Sequence, residues 1–281
     1  MPVPIPETET RTFERVKDHY QIEKELAARL RAAPKEERRH LYTTVYDELF
    51  RRVPDHPQLQ SKLDTRARRR EVLERVRLLR KYLRPDVTYL EIGPGDCALA
   101  IEAARRVRKV FAVDVSREIV AGIRLLKNLE LATSDGCSIP VPDGSIDIAY
   151  SDQLMEHLHP EDAAEQLANI YRALAPGATY LCITPNRWNG PHDVSRYFDE
   201  EATGFHLREY TVSELAQMFR EIGFRKVRVL VGGGGSHVSV PAFFVKTLET
   251  LLAKLPRQFG RTLARRLPLR VILGAKLIAT K

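Results

Sequence analysis

Several acids and two glycines fall in an order that can do chemistry. The stretch "LEIGPGDCALAI", Leu90 to Ile101, puts Glu91, Gly93 and Gly95 where an apolar strand opens onto a helix. Glycines there let the backbone approach a ligand closely and take dihedrals that a side chain forbids. Asp114, 19 residues beyond Gly95, closes the next strand, where a carboxylate can accept hydrogen bonds from both hydroxyls of a ribose. Asp135 and Asp152 follow two later strands. This pattern describes a pocket for a nucleotide-like cofactor and leaves its kind open, because Gly93, Gly95 and Ala98 also satisfy the G-x-G-x-x-G/A fingerprint of nicotinamide binding. Glu91 points the other way. An acid at the strand end repels a pyrophosphate and attracts a cation. The plainer alternatives are a tight turn for the glycines and helix capping for Asp114 and Asp135.

The second chemical group is histidine. His157 lies in "MEHLHP", and His192, Asp193, Tyr197 and His206 lie in the polar stretch after the strand "ATYLCITP". Substrates dock beyond the carboxyl ends of strands in open α/β sheets, so these side chains are candidates for a general base. Each is equally read as a packed, hydrogen-bonded histidine, and Trp188 as a lid or packing residue.

The elements that must position these groups are legible. Residues 12–84 read as helices, with Ile22, Leu26 and Leu30, then Leu41, Val45 and Leu49 after Pro34, then Val72, Val76, Leu79 and Leu83. From Val87 the texture alternates: "VTYLEIG", "VFAVDV", "SIDIAYS" and "ATYLCITP" are apolar strands separated by helical stretches. Ser116 with Glu118 predicts a cap for the second of these helices, and Pro160 and Gly177 bracket the helix before "ATYLCITP". Thr211 and Glu214 predict a capping box ahead of the strand "FRKVRVLV". The closing "VILGAKLIATK" lacks a regular crossover and is expected to pair antiparallel. This predicts an α/β fold, a Rossmann-like doubly wound sheet, mostly parallel with an antiparallel last strand, plus an N-terminal helical extension. The expected division is a helical cap over 1–84 and a cofactor-binding domain over 85–281, with Tyr20 or Tyr42 of the cap near the site.

Composition narrows the class. The 281 residues are 43% hydrophobic and 29% charged, which is ordinary globular material. Three separated cysteines, Cys97, Cys137 and Cys182, have neither pairing nor metal-ligand spacing, and no apolar run is long enough to span a bilayer. A cytoplasmic protein is expected. The net charge of +8 resolves into a basic start, an acidic middle and a basic end. An acidic centre suits a cationic cofactor better than a polyanion, so nucleic acid is not favoured as a partner.

On these residues the sequence resembles the class I S-adenosylmethionine-dependent methyltransferases, in the group containing the ubiquinone-pathway O-methyltransferases and small-molecule methylases. The resemblance covers about Leu83 to Phe224 and the final strand. It implies S-adenosyl-L-methionine as cofactor. Glu91, Gly93 and Gly95 match the loop holding its methionine part. Asp114, with Val115 beside it, matches the ribose acid, and Asp135 with Gly136 the site of the adenine amino group. Asp152 to His157 match the segment that passes under the cofactor into the active site. The family's frequent third glycine is Cys97 here. In the ubiquinone-pathway relatives "E-x-x-E-H" is associated with a divalent metal; here Gln153 replaces the first acid, and no metal is expected. The implied activity is methyl transfer to a small-molecule acceptor, a hydroxyl oxygen by preference, with His157, His192 and His206 as candidate catalytic residues. A non-catalytic cofactor-binding module acting through partners and a nicotinamide-dependent oxidoreductase remain as alternatives.

A helical insertion over about 241–268 carries a second expectation. Phe244, Leu248, Leu251, Leu252 and Leu255 are placed on one helical face, and Lys254, Arg257, Arg261, Arg265, Arg266 and Arg270 follow. The glycines Gly232–Gly235 would let it swing. The segment 241–270 reads either as a surface or dimer-forming insertion or as a peripheral membrane contact serving a lipid or lipid-linked acceptor.

Overall fold

The computed structural model describes residues 3–61, 65–115, 126–233 and 236–281. One eight-stranded sheet runs in the order β3-β2-β1-β4-β5-β8-β6-β7. Its parallel part is β1 (Thr88–Ile92), β2 (Lys109–Asp114), β3 (Leu129–Thr133), β4 (Ile146–Asp152) and β5 (Leu174–Ile183). All five residues of β1 are buried, as expected of a parallel strand covered on both faces. The closing strand β8 (Lys276–Thr280) inserts antiparallel between β5 and β6 (Lys226–Gly233). The expected α/β architecture is therefore observed. It gains a second antiparallel strand, β7 (Ser236–Pro241), which the glycine-rich, weakly apolar stretch did not announce. Gly232 and Gly233 pair with His237 and Ser236 in that hairpin, so these two are strand residues, not a hinge.

The N-terminal helices α1 (Phe13–Ala32), α2 (Lys35–Arg52) and α4 (Thr65–Leu79) lie where the periodicity places them, except that Leu83 falls beyond the last helix, and a short α3 (Pro57–Ser61), which no apolar repeat announces, stands between α2 and α4. Leu26, Leu30, Tyr42, Val45 and Leu49 share one hydrophobic cluster with Leu90, Ile92 and Leu167 of the sheet domain. The central helices are α5 (Ala98–Ala104), α6 (Pro160–Ala173) and α7 (Val212–Ile222). Thr211 and Glu214 form the capping box on α7. Helix α6 ends before Gly177, which sits inside β5 at φ +78, near a register shift against β4. The Ser116–Glu118 cap lies outside the described residues. Among those described, no helix is long and apolar enough to cross a membrane.

A buried ion pair fastens α2 to α6. Arg38 donates twice to Asp162, at 2.6 and 2.8 Å, and Tyr42 Oη donates to the same carboxylate at 2.6 Å. Both charges are removed from water, so deleting one strands the other. Arg38→Met is expected to cost about 3–5 kcal/mol in urea unfolding. The double variant Arg38→Met, Asp162→Leu should recover much of that loss. Equal losses in the single and double variants would contradict the pairing.

After β7 come α8 (Ala242–Ala253), α9 (Arg257–Ala264) and α10 (Leu269–Ile272). Buried Glu249 accepts from the backbone N–H groups of Val212 (2.9 Å) and Ser213 (2.8 Å), pinning α8 onto the start of α7. The expected single apolar face is split. Val245 and Leu252 are buried, Leu248 and Leu255 are half-buried, and Phe244 and Leu251 face outward. The last helix takes Val271 and Ile272, so β8 is shorter than the apolar run suggested.

Candidate active site

The strand-end residues converge because β3, β2, β1 and β4 are adjacent and parallel. Glu91 is buried in the last turns of β1. The chain then reverses: Gly93, at φ +67, donates its N–H to Val113 O at 2.9 Å, beside Asp114. Gly95, at φ +55, has nothing within 4 Å of where a Cβ would stand. Cys97 also adopts a left-handed φ of 56 as the cap of α5, so the position keeps the conformation that glycine favours. Asp114 and Val115 lie half-exposed at the end of β2. Asp135 Oδ1 accepts from the N–H groups of Cys137 and Ser138, at 3.0 and 2.7 Å, while Oδ2 faces Arg39 of the cap at 3.3 Å. No helix starts there, so Asp135 holds a turn rather than capping a helix. A Cβ on Gly136 would lie 2.6 Å from the Tyr42 ring, so glycine is required there by close approach as well as by its φ of +93. Asp152 pairs with Arg75 and accepts from Tyr150 Oη at 2.9 Å, and its Oδ1 is buried without a partner.

Burial sets the charge of this edge. It pushes the Glu91 carboxyl up to about 8 and raises Asp152 as well. The folded value for Glu91 stands above the ordinary 4.5, so its stabilising contribution is complete below that value and is lost as pH rises toward 8. Glu91→Gln should remove this slope. Its apo stability is expected to exceed wild type by roughly 2–4 kcal/mol at about pH 9 and to match it near about pH 4, measured by urea unfolding. A pH-independent difference would contradict the assignment. A bound cation would favour ionised Glu91 and make this edge a cation site.

A cavity of about 850 Å³ is lined by residues of the N-terminal helices and by the segments after β4, from Gln153, and after β5. His157 Nδ1 donates to Phe205 O at 3.0 Å, which leaves the Nε2 lone pair for another partner. The rings of His157 and His206 are 5.0 Å apart, edge to face. His206 Nδ1 contacts Glu209 Oε1 at 2.8 Å, and His192 donates its backbone N–H to the same oxygen at 2.7 Å. His192 and His206 therefore share one buried carboxylate, and His157 joins them through the His206 ring. Burial, followed by the neighbouring His206 charge, lowers His157 to about 3, so it is neutral at working pH. For His206 burial opposes the charge, yet Glu209, Glu156 and Asp193 together raise it.

Among the described residues three clusters have ligand atoms within 4.8 Å of one another: Glu156, His157 and His206; His19, Glu23 and His56; and His159, Glu161 and Asp162, whose Asp162 is already taken by Arg38. In the second, His19 Nδ1 faces an Arg11 donor (3.0 Å) and His56 Nδ1 accepts from Gln58 N (3.2 Å). Each ring then carries its proton on Nε2, toward Glu23, which is a closed hydrogen-bond network and not a ligand set. In the first cluster each Nδ1 faces an acceptor, and Glu156 Oε1 is buried without a partner. That donor set can hold a proton or a divalent ion.

Sequence reasoning missed Glu209, Tyr46, His19, Glu23 and His56, all placed at this cavity or its wall. Tyr46, not Tyr20 or Tyr42, meets the histidine cavity, stacked on Phe205 at 5.1 Å and edge-on to His157 at 6.1 Å, while Tyr42 packs against Gly136. Tyr20 bonds Asp199 and Tyr42 bonds Asp162. The only available signal was the polar pair His19/Glu23 on an otherwise apolar helix face.

A parallel sheet with a glycine turn after β1, acids at the ends of four neighbouring strands and an antiparallel closing strand defines a Rossmann-like class I methyltransferase. The model of a family described as methyltransferase domain matches residues 65–229, and the chain belongs to that family. A probable S-adenosylmethionine-dependent methyltransferase of Mycolicibacterium smegmatis is 32% identical over 158 residues, 56% of this chain and 58% of the relative. A demethylmenaquinone methyltransferase of Listeria welshimeri is 26% identical over 166 residues, 52% of this chain and 67% of the relative. A solved S-adenosylmethionine-dependent methyltransferase from Archaeoglobus fulgidus overlaps 75% of this chain and 94% of its own, at 18% identity and a TM-score of 0.49. The chain spans about half the length of the curated relatives it matches.

Proposed function

We propose that this chain is an S-adenosyl-L-methionine-dependent methyltransferase acting on a hydroxyl oxygen of a small-molecule acceptor of lipid or lipid-linked type. The residues fit the cofactor. Asp152 Oδ1 is buried without a partner, an acceptor that an ammonium could satisfy, and the space beside Gly95 is open. Glu91, Gly93, Gly95 and Asp152 would hold the methionine part, Asp114 and Val115 the ribose, and Asp135 with Gly136 the adenine. When bound, the cofactor supplies an electrophilic methyl group on a sulfonium. A cation draws out the Glu91 carboxylate, whereas a dinucleotide pyrophosphate would keep it protonated and gain no counter-charge from it, which disfavours the oxidoreductase reading.

The observation that carries the reaction type is the Phe205 carbonyl fixing His157 with its Nε2 lone pair uncommitted, in a cavity whose lining reaches Gln153, the residue after Asp152. Nε2 accepts the hydroxyl proton, while Glu209 holds His206 and His192 in place. Cap residues Tyr46 and Leu49 wall the cavity and exclude water. A base held as low as His157 suits an acidic hydroxyl. A phenol, near about 10 as in tyrosine, is a far easier donor than an aliphatic alcohol. The Listeria relative, named for demethylmenaquinone, supports a lipid-type acceptor.

The test is transfer of an isotopically labelled methyl group to phenols, aliphatic alcohols and amines, and to a lipid extract, followed by mass spectrometry. Label on phenolic or extract-lipid hydroxyls is expected. Label confined to amines would overturn the oxygen assignment. Cofactor binding with no labelled product in any fraction would favour the non-catalytic module.

A further inference from the structure

The segment after β7 bears no visible relation to the chemistry, yet its surface is unusual. Phe243, Phe244 and Leu251 of α8, Phe259 of α9 and Leu267 before α10 are 54%, 57%, 55%, 54% and 68% exposed. These are five of the ten large apolar side chains most exposed in the described residues, within a span of 25 positions. A monomeric surface rarely gathers such side chains without a use. Phe243 and Phe244 stack at 4.0 Å, forming one outward wedge at the start of α8.

The polar groups on this surface are arranged for a non-aqueous contact. Thr247 Oγ1 donates to Phe243 O, Thr250 Oγ1 to Lys246 O and Thr262 Oγ1 to Gln258 O, each within its own helix. Their hydroxyls are satisfied without water, which lowers the cost of covering the face. Lys246, Lys254, Arg266 and Arg270 are exposed, and no acidic side chain among the described residues pairs with them. The one acid of the segment, Glu249, is buried under α7. Not every base is free. Arg261 and Arg265 both donate to Gly190 O at 2.6 Å, and Arg257 pairs with Glu201. Arg261 and Arg265 instead bind the helices to the loop that carries Trp188 and His192, at the wall of the cavity.

We propose that the outward face of α8, continued by α9 and α10, docks the protein on an anionic lipid bilayer. The apolar wedge enters the headgroup boundary, and the four unpaired bases meet the anionic phosphates. The Gly190 contacts then hold the acceptor cavity's loop next to the lipid surface. This goes beyond the methyl-transfer reading and stands without it, since it needs neither cofactor nor turnover.

The experiment is co-sedimentation with phosphatidylcholine vesicles, with and without phosphatidylglycerol, at low and high salt. Two surface variants serve as controls: Phe243→Ser, Phe244→Ser, Leu251→Ser, and Lys246→Glu, Lys254→Glu, Arg266→Glu, Arg270→Glu. Wild type should pellet with the anionic vesicles and be released by salt. Each variant should lose at least about 100-fold in partitioning. Unchanged far-ultraviolet circular dichroism and thermal midpoint in each variant would show that it still folds. No pelleting of wild type at low salt overturns the proposal, as does equal binding of wild type and variants. A wild-type dimer in sedimentation velocity that the serine variant dissolves, without vesicle binding, overturns it in favour of a second copy of the chain.

Discussion

Replacing His157 with Gln is expected to lower kcat by about 10²–10⁴-fold, the range for losing a positioned proton acceptor, with S-adenosylhomocysteine affinity nearly unchanged. Glutamine approximates the volume between Tyr46 and His206 and can still reach toward Phe205 O, so the cavity wall is kept. It removes a lone pair fixed by tautomer and replaces it with a rotatable amide. The wild-type profile should show no titration of His157 near neutrality, because burial and the His206 charge hold it at about 3. A positioning role through Glu209 makes a different signature. Glu209→Gln releases His206 and His192 together, and its effect should include a shifted pH profile. If His157→Gln retained wild-type kcat, the base would lie elsewhere, and Glu156, pushed up to about 7 by burial, is the neighbouring group to examine.

The second large effect concerns the cofactor. Asp114→Ala should weaken S-adenosylhomocysteine binding by about 1.5–3 kcal/mol, roughly 10- to 150-fold, the range for hydrogen bonds to a charged acceptor. Asp114 ends β2 next to the Gly93 turn, whose N–H is bonded to Val113 O, so the acid is presented by the fold's most regular part. Truncation at such a strand end leaves the β1–β2 ladder intact. Unchanged affinity would remove the ribose role from Asp114.

The parallel sheet and its strand-end acids were legible because each strand is a short apolar run closed by a polar residue, and adjacency in a doubly wound sheet does the rest. Glu91, Gly93, Gly95, Asp114, Asp135 and Asp152 fall on one edge for that reason alone. The cavity was less legible. Its walls come from α1, α2 and the segments after β4 and β5, which meet only through tertiary packing. Nothing local marks Glu209 as the carboxylate shared by His192 and His206, or Arg39 and Arg75 as cap-side partners of Asp135 and Asp152. The insertion misled for a related reason. Periodicity chose one apolar face on α8, but Glu249 capping α7 rotates Val245 and Leu252 inward and leaves Phe244 and Leu251 outside. Likewise, a run of arginines reads as one charged surface until the Gly190 carbonyl takes up Arg261 and Arg265.

The measurement that bears most directly on the central claim is calorimetric titration of the wild-type protein with S-adenosylhomocysteine and, separately, with NADH. A single S-adenosylhomocysteine site with affinity on the order of micromolar is expected, with no heat from NADH, because a protonated Glu91 offers a pyrophosphate no counter-charge, whereas a cationic ligand draws out its carboxylate. Saturable NADH binding with no response to S-adenosylhomocysteine would contradict the account at its root.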